Sequence, residues 1–434
     1  MKRTLPLLVL ASLSGGAAFA SEAPVVGHWE GAVARLGSVQ TVQVDVREEG
    51  GALVAAFDIP DRDLVGEPVK KVEYEAPVLR LTGSPYGDGV LKLDVETGEM
   101  TGIFEAWEPD VRIHLKRRPA PPPTVREEEV RFRNDSVALA GTLILPLTPG
   151  PHPAVVLVHG SAAPGRSDAR YRSKGLFFAR HGIAALVYDK RQGFENATFD
   201  ELAADAAAAV RFLKTRRDVD ADRIGLAGFS QGGWLAPMAA AQVDGVSFLI
   251  LQVAPAVSVE EQEVQRVRYG MAAEGSPEED ILRAVAYTRL MFDTAYRGGD
   301  WSKLAAATEK ARSQAWAGQV QLASSPEDLQ GWRRQQYDPE PVLRRTTIPV
   351  LALYGERDTV VPPAENAEKM RGLLEEAGNR QVTIKIFPRA NHSLEWYGEL
   401  RQGTWSWPDG YWIWAKAAPG YAETVIGWLH TRLK

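Results

Sequence analysis

Residues 24–118 alternate apolar and polar side chains with a period of two, broken at regular intervals by turn signals. The alternation predicts eight short strands, over 27–33, 39–46, 52–58, 69–75, 78–82, 90–95, 100–105 and 111–116. The breaks include Glu49-Gly50-Gly51, Gly87-Asp88-Gly89 and Thr97-Gly98-Glu99, where glycine permits a tight reversal. No stretch carries the 3.6-residue period of a helix. An antiparallel all-β domain, barrel or sandwich, is therefore expected over 21–117. Arg118-Pro119-Ala120-Pro121-Pro122-Pro123-Thr124 follows. A run so rich in proline is stiff and extended, and 118–124 reads as a linker.

From 125 onward the pattern changes. Strands are expected over 128–133 and 138–145. Apolar strands then alternate with helices: strands over 154–158, 184–188, 224–227, 248–253, 350–353 and 382–387, helices over 171–181, 200–215, 231–242 and 364–377. Strands without polar alternation, separated by helices, predict a mostly parallel sheet covered on both faces. The series is interrupted over about 256–345 by helical sequence, which reads as a cap inserted above the strand ends. Ser276-Pro277-Glu278-Glu279 and Ser325-Pro326-Glu327-Asp328 are expected to be capping boxes at helix starts within it.

Candidate chemistry begins at 224–235, where an apolar strand runs into Gly228-Phe229-Ser230-Gln231-Gly232 and a helix follows. A serine on such a sharp strand-to-helix turn is a candidate nucleophile, and the helix start beneath it offers a backbone N–H to an oxyanion. The serine needs a base and the base an orienting acid. Of seven histidines, His392 follows the strand at 382–387, at the edge where loops of a parallel sheet converge. His28 and His114 fall in the β domain, His152 at the opposite sheet edge, His181 at a helix end and His430 in the last helix. The acid is sought after a strand as well. Asp358 is the first candidate, Glu356 reads as a partner of Arg357, and Asp189 is an alternative. The N–H groups of Gln231 and Ser161, with Ala162 as the neighbour of the latter, are the candidate oxyanion donors. His159 reads as a hydrogen-bonded structural residue.

These residues, His159-Gly160-Ser161, Tyr188-Asp189-Lys190-Arg191, Gly228 to Gly232, Gly355-Glu356-Arg357-Asp358 and Asn391-His392, resemble the α/β-hydrolase superfamily, and within it exported bacterial serine hydrolases of the esterase and prolyl-oligopeptidase-like groups. The resemblance covers 125–434. It implies an α/β-hydrolase domain with a Ser230, Asp358, His392 triad, in the family's chain order, and no cofactor. One departure is the Ser161-Ala162-Ala163-Pro164-Gly165-Arg166 segment, which stands where a glycine run is expected.

Seven large aromatics, including Trp396, Trp405, Trp407, Trp412 and Trp414, crowd 396–414. They are expected either to wall a substrate pocket (Trp396, Trp405, Trp407 and Trp412 in particular) or to form a satellite core. Arg166, Arg170 and Arg172 read as a solvated face rather than a carboxylate site. No metal-binding motif is present, and no phosphate or dinucleotide loop.

Composition alters the picture in three ways. Lys2-Arg3, an apolar stretch from Leu5 to Leu13 and Ala18-Phe19-Ala20 read as an export signal over 1–20, too short to span a bilayer. Without Lys2 and Arg3, 48 basic residues face 56 acidic ones, a net charge of −8, which argues against nucleic acid as a partner. The absence of cysteine excludes a thiol nucleophile and disulfides. The expectation is an exported, soluble, periplasmic or extracellular serine hydrolase acting on a small ester or a short peptide. A serine peptidase or aminopeptidase is the second reading, although 21–117 is too short for a seven-bladed propeller gate. A catalytically inactive binding protein is the third.

Overall fold

The computed structural model describes residues 23–107, 109–161, 165–166, 168–396, 399–401 and 411–433, with backbone alone for 399–401 and 411–413. The expected signal at 1–20 lies outside these residues.

Nine strands form the first sheet: β1 (Gly27–Arg35), β2 (Ser38–Glu49), β3 (Ala52–Ile59), β4 (Leu64–Pro68), β5 (Lys71–Glu75), β6 (Val78–Ser84), β7 (Gly87–Asp94), β8 (Glu99–Phe104) and β9 (Val111–Arg118). Their order, β4-β3-β2-β1-β9-β8-β7-β6-β5, is an antiparallel meander in which the first and last strands pair, and the sheet curls into a half-barrel. Alternate residues point inward, Val42, Val44 and Val46 on β2 and Ile113 and Leu115 on β9, and join Trp29, Phe57 and Phe104 in one core. The eight expected strands are present. β4 is additional: Gly66 and Pro68 interrupt its alternation, and its pairing with β3 is irregular. This extra strand packs on the second domain, where Ser173 Oγ accepts a 2.7 Å hydrogen bond from the Val65 N–H.

The second sheet comprises β10 (Val125–Asn134), β11 (Val137–Pro146), β12 (His152–Val158), β13 (Ala184–Tyr188), β14 (Val219–Phe229), β15 (Val246–Gln252), β16 (Val350–Gly355) and β17 (Val382–Phe387). The order is β10-β11-β13-β12-β14-β15-β16-β17, antiparallel for the first two pairings and parallel from β13 onward. β12 shows why its strands read as continuously apolar. Ala154, Val156 and Val158 enter the core on one face, and Val155 and Leu157 the core on the other. Helices α1 (Ala169–Arg180), α2 (Phe199–Lys214) and α3 (Gln231–Ala240) follow β12, β13 and β14.

Between β15 and β16 stand α4 (Val259–Ala273), α5 (Glu278–Tyr296), α6 (Trp301–Ala311), α7 (Gln330–Arg334) and α8 (Glu340–Leu343). They pack on the face of α2 and α3, with Tyr337 against Phe199 and Trp234. The box at Ser276 does not form: Pro277 occupies the cap position of α5 without a side-chain bond, leaving Ser276 outside the helix. The box at Ser325 and Asp328 does form, on a 3₁₀ turn. Helices α9 (Pro363–Glu376) and α10 (Tyr421–Arg432) complete the sheet's two faces. Among the described residues no helix is long and apolar enough to cross a membrane.

Candidate active site

The turn from β14 into α3 is tight because two backbones approach where side chains would otherwise stand. A Cβ on Gly228 would lie 2.1 Å from the Gly232 carbonyl oxygen, and one on Gly232 2.2 Å from that of Val158. Ser230 between them adopts φ 54° and ψ −118°, a strained conformation for a residue with a side chain. The strain is held by the Ser230 N–H bond to the Gln252 carbonyl, 2.9 Å. Gln231 is the first residue of α3, where backbone N–H groups have no partner within the helix.

The loops after β16 and β17 bring Asp358 and His392 to this turn. Asp358 is buried, 3 % exposed. Its Oδ1 accepts from the N–H groups of Val360 (2.8 Å) and Val361 (2.9 Å), and its Oδ2 from His392 Nδ1 (2.8 Å). A carboxylate only accepts, so the imidazole proton belongs on Nδ1. That leaves Nε2 to accept from the Ser230 hydroxyl at 3.1 Å. The alternative acids are engaged elsewhere. Asp189 accepts from Arg166 Nε, and Glu356 from the Arg389 N–H.

The loop after β12 lies against the serine: a Cβ on Gly160 would be 3.5 Å from Ser230 Cβ. Two side chains that sequence reasoning missed fix it. The Tyr171 hydroxyl accepts from the Gly160 N–H at 2.7 Å. Lys190 Nζ donates to the carbonyls of Gly160 (2.6 Å) and Ser161 (3.1 Å). Ser161 N–H is the next donor along this loop, and Ala162 lies outside the described residues. Burial pushes the Tyr171 phenol up to about 12 and Lys190 down to about 8. The signal for Lys190 was its place just after β13, at the sheet edge where the site assembles.

His159 differs from its expected role. Its ring packs 4.4 Å from Tyr171 and 5.1 Å from Tyr188, and neither nitrogen has a hydrogen-bond partner among the described residues. Desolvation lowers its pKa to about 3, so it is neutral at ordinary pH.

A cavity of about 320 Å³ opens beside Ser230 and His392. Its walls come from Tyr171, Lys174 and Phe177 of α1, from Phe229, from 393–395 with Ala417 and Tyr421, and from Arg62, Asp63 and Leu64 of the β domain. No described residue of α4 to α8 lines it, so the inserted helices stand beside the site and the β domain covers it.

The aromatic segment divides. Trp396, expected in a pocket wall, is absent from the cavity lining. Its indole N–H is tied to the Pro388 carbonyl, and its ring lies 4.8 Å from both the Arg389 guanidinium and Lys416 Nζ. Trp405 and Trp407 lie outside the described residues, and Trp412 is described only as part of a short backbone strand, Tyr411–Ile413. Trp414 enters the β-domain core, edge-on to Tyr86 at 5.6 Å. Arg166, Arg170 and Arg172 are paired with acidic side chains, Asp189, Asp168 and Glu127 among them. No group of three or more His, Cys, Asp or Glu among the described residues is arranged to hold a metal.

The chain is 27 % identical over 350 residues to Esterase EstD of Thermotoga maritima, covering 77 % of this chain and 76 % of that one. It is 27 % identical over 238 residues to the human acyl-coenzyme A thioesterase 1, covering 49 % and 52 %. A Pyrococcus furiosus esterase structure aligns at 19 % identity with a TM-score of 0.43, covering 62 % and 84 %. The alpha/beta hydrolase family matches over residues 155–399, a span that includes Ser230, Asp358 and His392 and exceeds half the chain, and the chain belongs to that family.

Proposed function

We propose that the protein is a serine esterase in which Ser230, His392 and Asp358 act together. The carrying observation is the unbroken hydrogen-bonded line from buried Asp358 through His392 to a strained Ser230 at the cavity floor. His392 Nε2 takes the hydroxyl proton as Ser230 Oγ bonds to the ester carbonyl carbon. Asp358 holds the imidazole in the required tautomer and offsets its charge. The N–H groups of Gln231 and Ser161 receive the oxyanion. The tetrahedral intermediate collapses, and the leaving alcohol takes the proton from Nε2. Water then attacks the acyl-enzyme, gives its proton to Nε2, and Ser230 recovers it as the acid departs. No cofactor enters these steps.

The similarity to an esterase and a thioesterase favours acyl transfer from oxygen or sulfur. The Lys2-Arg3 and Leu5 to Leu13 pattern supports export, with Ser21 as the mature N-terminus, which N-terminal sequencing of the exported protein tests. The activity is tested with p-nitrophenyl esters of graded chain length and aminoacyl anilides, with Ser230→Ala as control. Ester turnover abolished by the substitution is expected. Anilide turnover far above ester turnover would replace the esterase by a peptidase. No turnover of either, with Ser230 inert to a fluorophosphonate, would favour a binding protein.

A further inference from the structure

The charged groups around the cavity are not equivalent. Arg170 is engaged by Asp168 through bonds of 3.0 and 2.6 Å, and Arg62 by Glu395 through bonds of 3.1 and 3.3 Å. Asp63 also lines the cavity with an exposed side chain, although partial burial of its carboxyl still raises its pKa above the usual carboxylate range. Lys174 has neither arrangement. It projects from the middle of α1 into the cavity wall, with Nζ 5.6 Å from the Phe229 ring centre and 5.5 Å from that of Tyr421. Its one hydrogen bond among the described residues runs to Gln252 Oε1 at 3.4 Å, an oxygen already taken by the Tyr421 hydroxyl at 3.0 Å. No described carboxylate pairs with it.

An ammonium has three N–H donors, and this one uses one of them at the limit of hydrogen-bond reach. Burial lowers its pKa, and the carboxylates of Glu395 and Asp63 offset that only from a distance. Much of the remaining wall is apolar, with Leu64, Phe177, Leu394 and Ala417 contributing. Phe229, against which Lys174 rests, directly precedes Ser230 and meets the His392 ring at 5.5 Å. The under-solvated cation therefore faces the reaction centre across a single aromatic side chain.

We propose that Lys174 sets specificity by receiving a carboxylate at the far end of the ester substrate, while the apolar wall takes the stem. The inference rests on the esterase reading of Ser230. The carboxylate belongs to either the acyl or the alcohol part, and the chemistry at Lys174 is the same for both. It is tested with p-nitrophenyl butyrate, the mono-p-nitrophenyl ester of glutaric acid and 4-butyryloxybenzoate, which are neutral, acyl-side anionic and alcohol-side anionic.

One of the two anionic esters is expected to exceed the neutral one in kcat/KM by about tenfold or more, as a charge-assisted hydrogen bond allows. Lys174→Met should collapse that ratio through KM, and Lys174→Arg should retain part of it. Neutral-ester turnover without any anionic preference would overturn the carboxylate site and leave the esterase reading standing. Calorimetry of glutarate binding to Ser230→Ala, with and without Lys174→Met, separates the two. Lysine-dependent glutarate binding with no turnover of any ester would keep the anion site and overturn the esterase reading. Glutarate binding indifferent to Lys174 would overturn the site.

Discussion

Arg62 of the β domain grips Glu395, three residues past His392, through hydrogen bonds of 3.1 Å from Nε and 3.3 Å from Nη2. The pair links the domain that covers the cavity to the loop that carries the histidine. Both side chains are partly covered, 28 % and 21 % exposed, so the stability at stake is small, about 1 kcal/mol or less. The positional consequence is larger, because both residues line the cavity. Arg62→Ala is expected to raise KM on the order of three- to tenfold while changing kcat little. Steady-state kinetics beside a thermal melt checks this, and an unchanged KM would show that the β domain does not shape the substrate site.

Asp358→Asn should leave the fold intact and remove most activity. Its Oδ1 position already accepts two backbone N–H groups, so the new amide oxygen belongs there and the NH₂ must face His392. That donor would drive the imidazole proton to Nε2, which then cannot accept from Ser230. A fall in kcat of roughly 10⁴ is expected. Retention of more than a tenth of wild-type kcat, with an unchanged melt, would remove Asp358 from the mechanism.

Lys190 gives the activity a pH limit of its own. Its ammonium holds the two carbonyls of the loop that carries Ser161, and burial has lowered its pKa from 10.5 to about 8. As pH rises through about 8 the ammonium becomes an amine, the grip on Gly160 weakens, and kcat should fall. Stability has the opposite sign. Between about 8 and 10.5 the unfolded lysine keeps a proton that the folded one has lost, so stability attributable to this group rises with pH there. Lys190→Met should lower kcat at neutral pH and abolish this alkaline limb. A pH profile of kcat for both proteins is decisive, and an identical limb in the variant would assign the loss to another group.

The chemistry was legible in the chain because each part of it is local. Gly228, Ser230 and Gly232 specify a backbone geometry within five residues, and Asp358 and His392 each stand in the loop after a strand of the parallel series, β16 and β17. What surrounds the chemistry was not legible, because it depends on docking. β4 escaped detection since Gly66 and Pro68 spoil its alternation, yet this strand and the turn before it close the cavity. The helices at 259–343 were expected above the site because they interrupt the sheet series at the correct point. Their apolar faces instead join the core on the sheet face that also carries α2, α3 and α9, and none of their described residues lines the cavity. Lys174 and Tyr171, three residues apart on one face of α1, carry no motif, and only the folded sheet brings them beside Ser230.

Trp414 joins the two domains through packing. It is 8 % exposed, sits in the β-domain core, and meets Tyr86 at 5.6 Å and Trp107 at 6.4 Å, both near edge-on. The adjacent Ala415 carbonyl accepts a 2.8 Å bond from Gln40, whose own oxygen accepts from the Tyr86 hydroxyl. Emptying this position should cost about 3–5 kcal/mol, the usual range for a buried tryptophan cut to alanine. Ala417, three residues on, lines the cavity, so the loss should also be felt by substrate. Trp414→Ala is expected to lower the melting temperature clearly and raise KM, and Trp414→Phe to do less of both. Calorimetry and kinetics on the pair check this. A lowered melt with unaltered KM would mean that the segment after Trp414 holds its place at the cavity without the tryptophan anchor.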